Sequence, residues 1–219
     1  MLKLYFGPGA CSFVPHVALE AIKAAIGEDF EPQLVKLHKG EQRTPEYLAM
    51  NPMGQVPVLV VDGKPLTQIV AICDYLDRRH PQLGLLPAES WARAEAMSLF
   101  AWMNNTVHST FTHVFMPHHF AEDEAARKEV QRVGLANYRT YMARLQERVA
   151  QAAPFLFGAR LSVLDAYALT LFRWSGLGGI DPADFPAYRA YVQRLAEVPP
   201  VAAALARERV PLDMYRKAA

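Results

Sequence analysis

The stretch "GPGACSFVPH" (residues 7–16) sets one cysteine, Cys11, between a glycine-proline-glycine turn and the start of a helical pattern. A helix N-terminus carries roughly half a positive charge and turns free N–H groups outward. A thiolate placed there is stabilised, so the thiol pKa falls and its reactivity rises. Gly7 and Gly9 permit the tight bend this placement needs. Cysteine is also among the most often buried residue types. The apolar stripe that follows starts only at Val14, however, so position favours a reactive Cys11 over a core one. Cys73 is the contrast. It lies in the stripe Ile69, Ile72, Cys73, Leu76 and reads as core.

Val56-Pro57, within "NPMGQVPVL", is a second signal. Proline is tolerated at the start of a strand. A cis bond there would expose the carbonyl and N–H of Val56 for pairing with an extended ligand. The histidine-rich stretch "HSTFTHVFMPHHF" holds His108, His113, His118 and His119. Their spacing does not stack ligands on one helix face, so no metal is expected there.

Certain elements must position these groups. "LKLYF" reads as a strand, "FVPHVALEAIKAAIG" as a helix ended by Gly27, and "FEPQLVKL" as a second strand. "TPEYLAMNP" is a short helical turn. "VPVLVVDGKPLT" is a hairpin turning at Asp62-Gly63, and "QIVAICDYLDRR" is a core-facing helix. The order β-α-β then β-β-α predicts a small mixed sheet with a right-handed parallel crossover. Residues 80–90, with two prolines and a glycine, read as a linker between domains at 1–80 and 91–219. Beyond it only helices are expected, over roughly 90–116, 123–151, 163–175, 186–197 and 200–208. Ser162 and Asp165 form a capping box for one of them, a structural signal.

Composition narrows the function further. The 219 residues include 52% hydrophobic ones, with 23 basic against 22 acidic residues and a net charge of +1. That balance gives no reason to expect nucleic acid or an anionic membrane as partner. No apolar run approaches the roughly 20 residues of a membrane helix, and "GPG" cuts the N-terminal apolar run too early for a signal peptide. Two cysteines without an export signal point to reduced thiols in a cytoplasmic setting.

A βαβ unit with a cysteine at helix one and Val-Pro before a hairpin resembles a thioredoxin-like domain. With the all-helical remainder, the chain resembles the cytosolic glutathione transferases, nearest to the bacterial beta class. The stretches "LYFGPGACSFVPHVALE", "PEYLAMNPMGQVPVL" and "LSVLDAYALTLFRW" carry the resemblance along essentially the whole chain. It implies glutathione as co-substrate, a small apolar electrophile as second substrate, and a homodimer. It places Cys11 beside the glutathione sulfur or in a mixed disulfide with it. Val56, with Pro57 cis, would pair with the cysteinyl part, and His108 would lie near the sulfur. Trp174 would flank the second-substrate pocket. Attack by the glutathione thiolate, or disulfide exchange through Cys11, is the implied chemistry. A glutathione-dependent isomerase or dehalogenase is a less favoured variant.

Two departures from the family pattern stand out. Gln68 fits the γ-glutamyl site, but Ile69 replaces a small hydroxyl residue. Losing that hydrogen bond to a carboxylate costs about 1.5–3 kcal/mol, or about 10- to 150-fold in affinity. The Ile69 N–H, at a helix start, remains to bind an anion, and the side chain can simply extend the core stripe. Phe6 stands where the class often has Tyr, and alternation turns Tyr5 to the opposite face. Ile69 therefore supports an alternative, a non-catalytic ligand-binding or partner protein on the same fold.

Overall fold

A computed structural model describes residues 1–215. Four strands, β1 (Leu2–Phe6), β2 (Phe30–Leu34), β3 (Val58–Val61) and β4 (Lys64–Thr67), form one sheet in the order β2-β1-β3-β4. β1 and β2 run parallel with Leu2 opposite Phe30. β3 is antiparallel to both β1 and β4. The crossover between the parallel strands is α1 (Phe13–Ile26), ended by Gly27 in the left-handed conformation. α2 (Pro45–Met50) and α3 (Ile69–Arg79) complete the expected βαβ-ββα unit.

Strand alternation sorts the side chains to two faces. Leu2, Leu4, Phe6 and Leu59 face α1 and α3 in the main core. Tyr5, Val58 and Val60 face the other way, against Tyr47 of α2. Phe6 and Tyr5 are thus on opposite sides, as the strand pattern requires. On α3, Ile69, Ile72, Cys73 and Leu76 are all buried, so Ile69 continues the core stripe.

The rest is helical: α4 (Ser90–Trp102), a π-turn (Met103–His108), α5 (Ser109–Phe115), α6 (Glu124–Ala150), α7 (Val163–Leu177), α8 (Pro186–Glu197) and α9 (Pro199–Glu208). α7 is buried along nearly its whole length and forms the centre. Its N-terminus carries the Ser162–Asp165 box, with the Ser162 N–H donating to Asp165 Oδ2 at 2.7 Å. No helix among the described residues is long and apolar enough to cross a membrane.

The segment read as a linker, residues 80–90, is packed against both halves. Leu85 and Leu86 are buried, the Leu86 N–H donates to Asp77, and the Val163 N–H donates to the Leu85 carbonyl. Apolar side chains from both halves accordingly join in one continuous core. One expectation needs correction: α1 has no single stripe starting at Val14. Ser12, Phe13, Val14, Pro15 and His16 are all buried, because α1 is covered by the sheet and by α7 and α9.

Candidate active site

The Gly7–Cys11 turn is gripped by the helical half. The Gly9 N–H donates to Glu208 of α9 at 2.8 Å, and the Gly9 carbonyl accepts from the Trp174 indole at 2.9 Å. Gly9 has φ +70°, a conformation that favours glycine, and a Cβ there would also crowd the Arg173 guanidinium at 3.3 Å. Glu208 is held in turn by His16 Nδ1 at 2.8 Å. The turn delivers Cys11 just ahead of α1, with Ser12 as the N-cap residue.

Cys11 sits on a cleft lined also by Asn51, Gln55, Val56, Pro57, Gln68, Ile69, Asn104 and His108. Its Sγ donates to the Val56 carbonyl at 3.5 Å. The Val56-Pro57 bond is cis. The loop before it is pinned by the Tyr47 hydroxyl and the Asn51 amide, which donate to the Gln55 carbonyl at 2.9 and 2.7 Å. The Val56 N–H has no backbone partner among the described residues. At the start of α3, Gln68 takes φ +71°, ψ +124°, a region sparsely populated by side chains other than glycine. Such strain costs on the order of 1–3 kcal/mol and collects at ligand clamps.

The electrostatics of Cys11 overturn the expectation of a lowered pKa. Its own N–H and that of Ser12 favour the thiolate, but burial outweighs them and pushes the pKa up to about 12. A helix terminus stabilises an anion only as far as solvent loss does not cancel it. Cys11 is a neutral thiol at pH 7 in this state. Cys73 is raised further by burial, as a core thiol should be.

His108 reaches the cleft from the π-turn. Residues four apart on a helix share a face, and Asn104 and His108 both line the cleft. His108 Nδ1 lies 2.8 Å from the Tyr167 hydroxyl, which also donates to Asn104 Oδ1 at 3.2 Å. Burial lowers the His108 pKa to about 4, so the ring is neutral at pH 7. It is not the solvent-facing helix histidine that a lone His most often is.

Trp174 is placed differently from its expected role. It is 6% exposed, lines neither cavity, stacks on Phe111 at 5.0 Å and sets its edge against His108 at 4.6 Å. With its bond to Gly9, it braces both the cysteine turn and the histidine. A separate open groove of about 540 Å³ lies beyond Phe111, between α5 and α6, with Phe115, Leu135 and Leu177 on its walls.

Sequence reasoning missed Asn51, Gln55 and Asn104 as cleft residues. Asn51 and Gln55 sit in the quoted "NPMGQVPVL" stretch and were within reach. Asn104 stands four residues before His108, a spacing that shares a helix face, so it too was within reach.

Residues 1–78 match the family described as glutathione S-transferase, N-terminal domain. The chain is similar to glutathione S-transferase GST-4.5 of Xanthomonas campestris pv. campestris, 31% identical over 94% of this chain and 98% of that one. It is similar to a solved sphingomonad glutathione S-transferase complexed with glutathione, at TM-score 0.81 and 33% identity over 95% of this chain and 100% of that one. It is also similar to the bacterial beta class glutathione S-transferase of Sphingomonas chungbukensis, at TM-score 0.79 and 29% identity over 94% and 98%. Sharing a thioredoxin-like sheet, a helical second half and close relatives along nearly its full length, the chain belongs to the glutathione S-transferase family.

Proposed function

We propose that this chain binds glutathione in the Cys11 cleft and joins its sulfur to an apolar electrophile. The observation that carries the reading is the meeting of Cys11, Val56, Gln68 and Ile69 from the sheet half with Asn104 and His108 from the helical half in one cleft. The cleft volume is about 70 Å³, room for a thiol-bearing group rather than a whole tripeptide. The remainder of glutathione then lies outward along exposed Gln55 and Gln68. Val56 offers its free N–H and its carbonyl to the cysteinyl backbone. Gln68 and the Ile69 N–H hold the γ-glutamyl carboxylate at the start of α3.

The raised Cys11 pKa favours conjugation over disulfide exchange. Exchange needs a thiolate, and at pH 7 a thiol of pKa about 12 supplies almost none. Cys11 instead offers its S–H as a hydrogen-bond donor. Turning that donor from the Val56 carbonyl to the glutathione sulfur stabilises the attacking thiolate. The non-catalytic alternative rested on Ile69, whose side chain the core absorbs at 4% exposure. We expect Ile69→Ser to cost about 2–4 kcal/mol of stability, the range for emptying a core site. Its glutathione affinity should stay within about threefold of the parent, under 0.7 kcal/mol. Denaturant melts and calorimetry measure the two; a tenfold or greater gain in affinity would show that the missing hydroxyl disables the site.

The function itself is tested by mixing the reduced protein with glutathione and an activated aryl halide. Turnover above the uncatalysed rate, saturable in glutathione, is expected. No acceleration with aryl halides, enones or epoxides would count against conjugation.

A further inference from the structure

Tyr167, on α7, does not line the cleft, yet its hydroxyl joins two residues that do. It donates to Asn104 Oδ1 at 3.2 Å and lies 2.8 Å from His108 Nδ1. A phenol has one proton. With that proton on the Asn104 oxygen, the Tyr167 oxygen can only accept from Nδ1. A neutral imidazole has a single N–H, and here it is the Nδ1–H. Nε2 is then left with a lone pair. Among the described residues Nε2 has no hydrogen-bond partner, and it is not one of the polar atoms shut away from solvent.

We propose that Tyr167 and Asn104 are positioning residues that fix His108 as the Nδ1–H tautomer, so that Nε2 meets the cleft as the acceptor for a thiol proton. The role in catalysis rests on the reading that glutathione enters this cleft. In the reaction the S–H bond breaks and its proton passes to Nε2. The electron pair left on sulfur forms the C–S bond to the electrophilic carbon. The leaving group departs with its bonding pair, and the imidazolium later returns the proton to solvent. The nascent thiolate, an adjacent opposite charge, favours the imidazolium and so opposes the burial that keeps the ring neutral in the empty site. Partners that set a histidine tautomer are an established means of tuning the ring's function.

The test is nitrogen-15 NMR of the His108 ring at pH 7, without glutathione. The parent should show a pyrrole-type Nδ1 and a pyridine-type Nε2. Asn104→Leu removes the acceptor that holds the phenol proton. Tyr167 is then free to donate to Nδ1, and the pyrrole-type signal should move to Nε2. Asn104→Asp keeps an acceptor and should keep the parent pattern. In Tyr167→Phe, kcat for conjugation should fall about 10- to 100-fold, the scale of loss when the partner orienting a metal-bound histidine is removed, with KM for glutathione little changed. An Nε2–H tautomer in the parent, or an unmoved signal in Asn104→Leu, overturns the proposal. So does an unchanged kcat in Tyr167→Phe. If the parent shows the Nδ1–H pattern but no turnover, the tautomer assignment stands and the conjugation reading fails.

Discussion

At pH 7, without glutathione, Cys11 is expected to be alkylated by iodoacetamide about 100-fold more slowly than a free cysteine in a peptide. With a pKa of about 12 against a free value of about 8.5, the thiolate is roughly 3,000-fold scarcer. A more basic thiolate is also a better nucleophile, with a Brønsted slope of about 0.4–0.5. Over about 3.5 pKa units that returns roughly 40-fold, leaving the net factor near 100. The rate should keep rising about tenfold per pH unit beyond pH 9, where a free thiol has levelled off. Cys73, fully buried, should stay unlabelled until the protein unfolds. Mass spectrometry of a timed alkylation reads both sites at once. A Cys11 faster than the free thiol would mean that the start of α1 controls its charge after all. That would restore disulfide exchange as the favoured chemistry.

Asp165→Ala is expected to cost about 3–5 kcal/mol of stability. The side chain is fully buried and accepts from the Ser162 N–H and hydroxyl at 2.7 Å each, from the Leu156 N–H at 2.9 Å, and from the Tyr191 hydroxyl. Alanine leaves these donors without a partner in the protein interior. Each buried unsatisfied donor costs about 1–3 kcal/mol, and part of the loss is recovered as water enters or the chain relaxes. For a chain of this size the drop corresponds to a Tm lower by about 10–15 °C. Asp165→Asn keeps one oxygen but turns an N–H₂ toward a donor, so its loss should be intermediate. A change under about 1 kcal/mol, the usual worth of a single exposed cap, would mean that the box acts alone and that Leu156 and Tyr191 contribute nothing.

Asp165 also shows what the sequence could and could not reveal. The Ser162–Asp165 box is local, three residues apart, and was legible. The bonds to Leu156 and Tyr191 are tertiary and were not. The strands and the faces of α3 followed from period-2 and period-3.6 patterns, and Gly27 and Asp62-Gly63 marked their turns. The seven residues singled out for the site divide by the same logic. Cys11, Val56, Pro57, Gln68, Ile69 and His108 share one cleft. Trp174 sits behind it as a brace, because its indole finds the Gly9 carbonyl 165 residues away. The charge state of Cys11 was misjudged for a related reason. A helix terminus can be read from neighbouring residues, whereas desolvation depends on which distant elements close over the thiol. Asn104, four residues before His108 and so on the same helix face, was within reach of the spacing and was not singled out.

The account's central claim is that this cleft holds glutathione. Calorimetric titration of the reduced protein with glutathione tests it most directly, with Cys11→Ala and Gln68→Ala run beside the parent. The account predicts one site per chain with Kd of about 1 mM or tighter, worth at least about 4 kcal/mol. It also predicts affinity weakened about tenfold or more in Gln68→Ala, the loss of one hydrogen bond to a charged group, and little changed in Cys11→Ala. No heat of binding in the parent at millimolar glutathione, under conditions where the protein is folded, would contradict the claim.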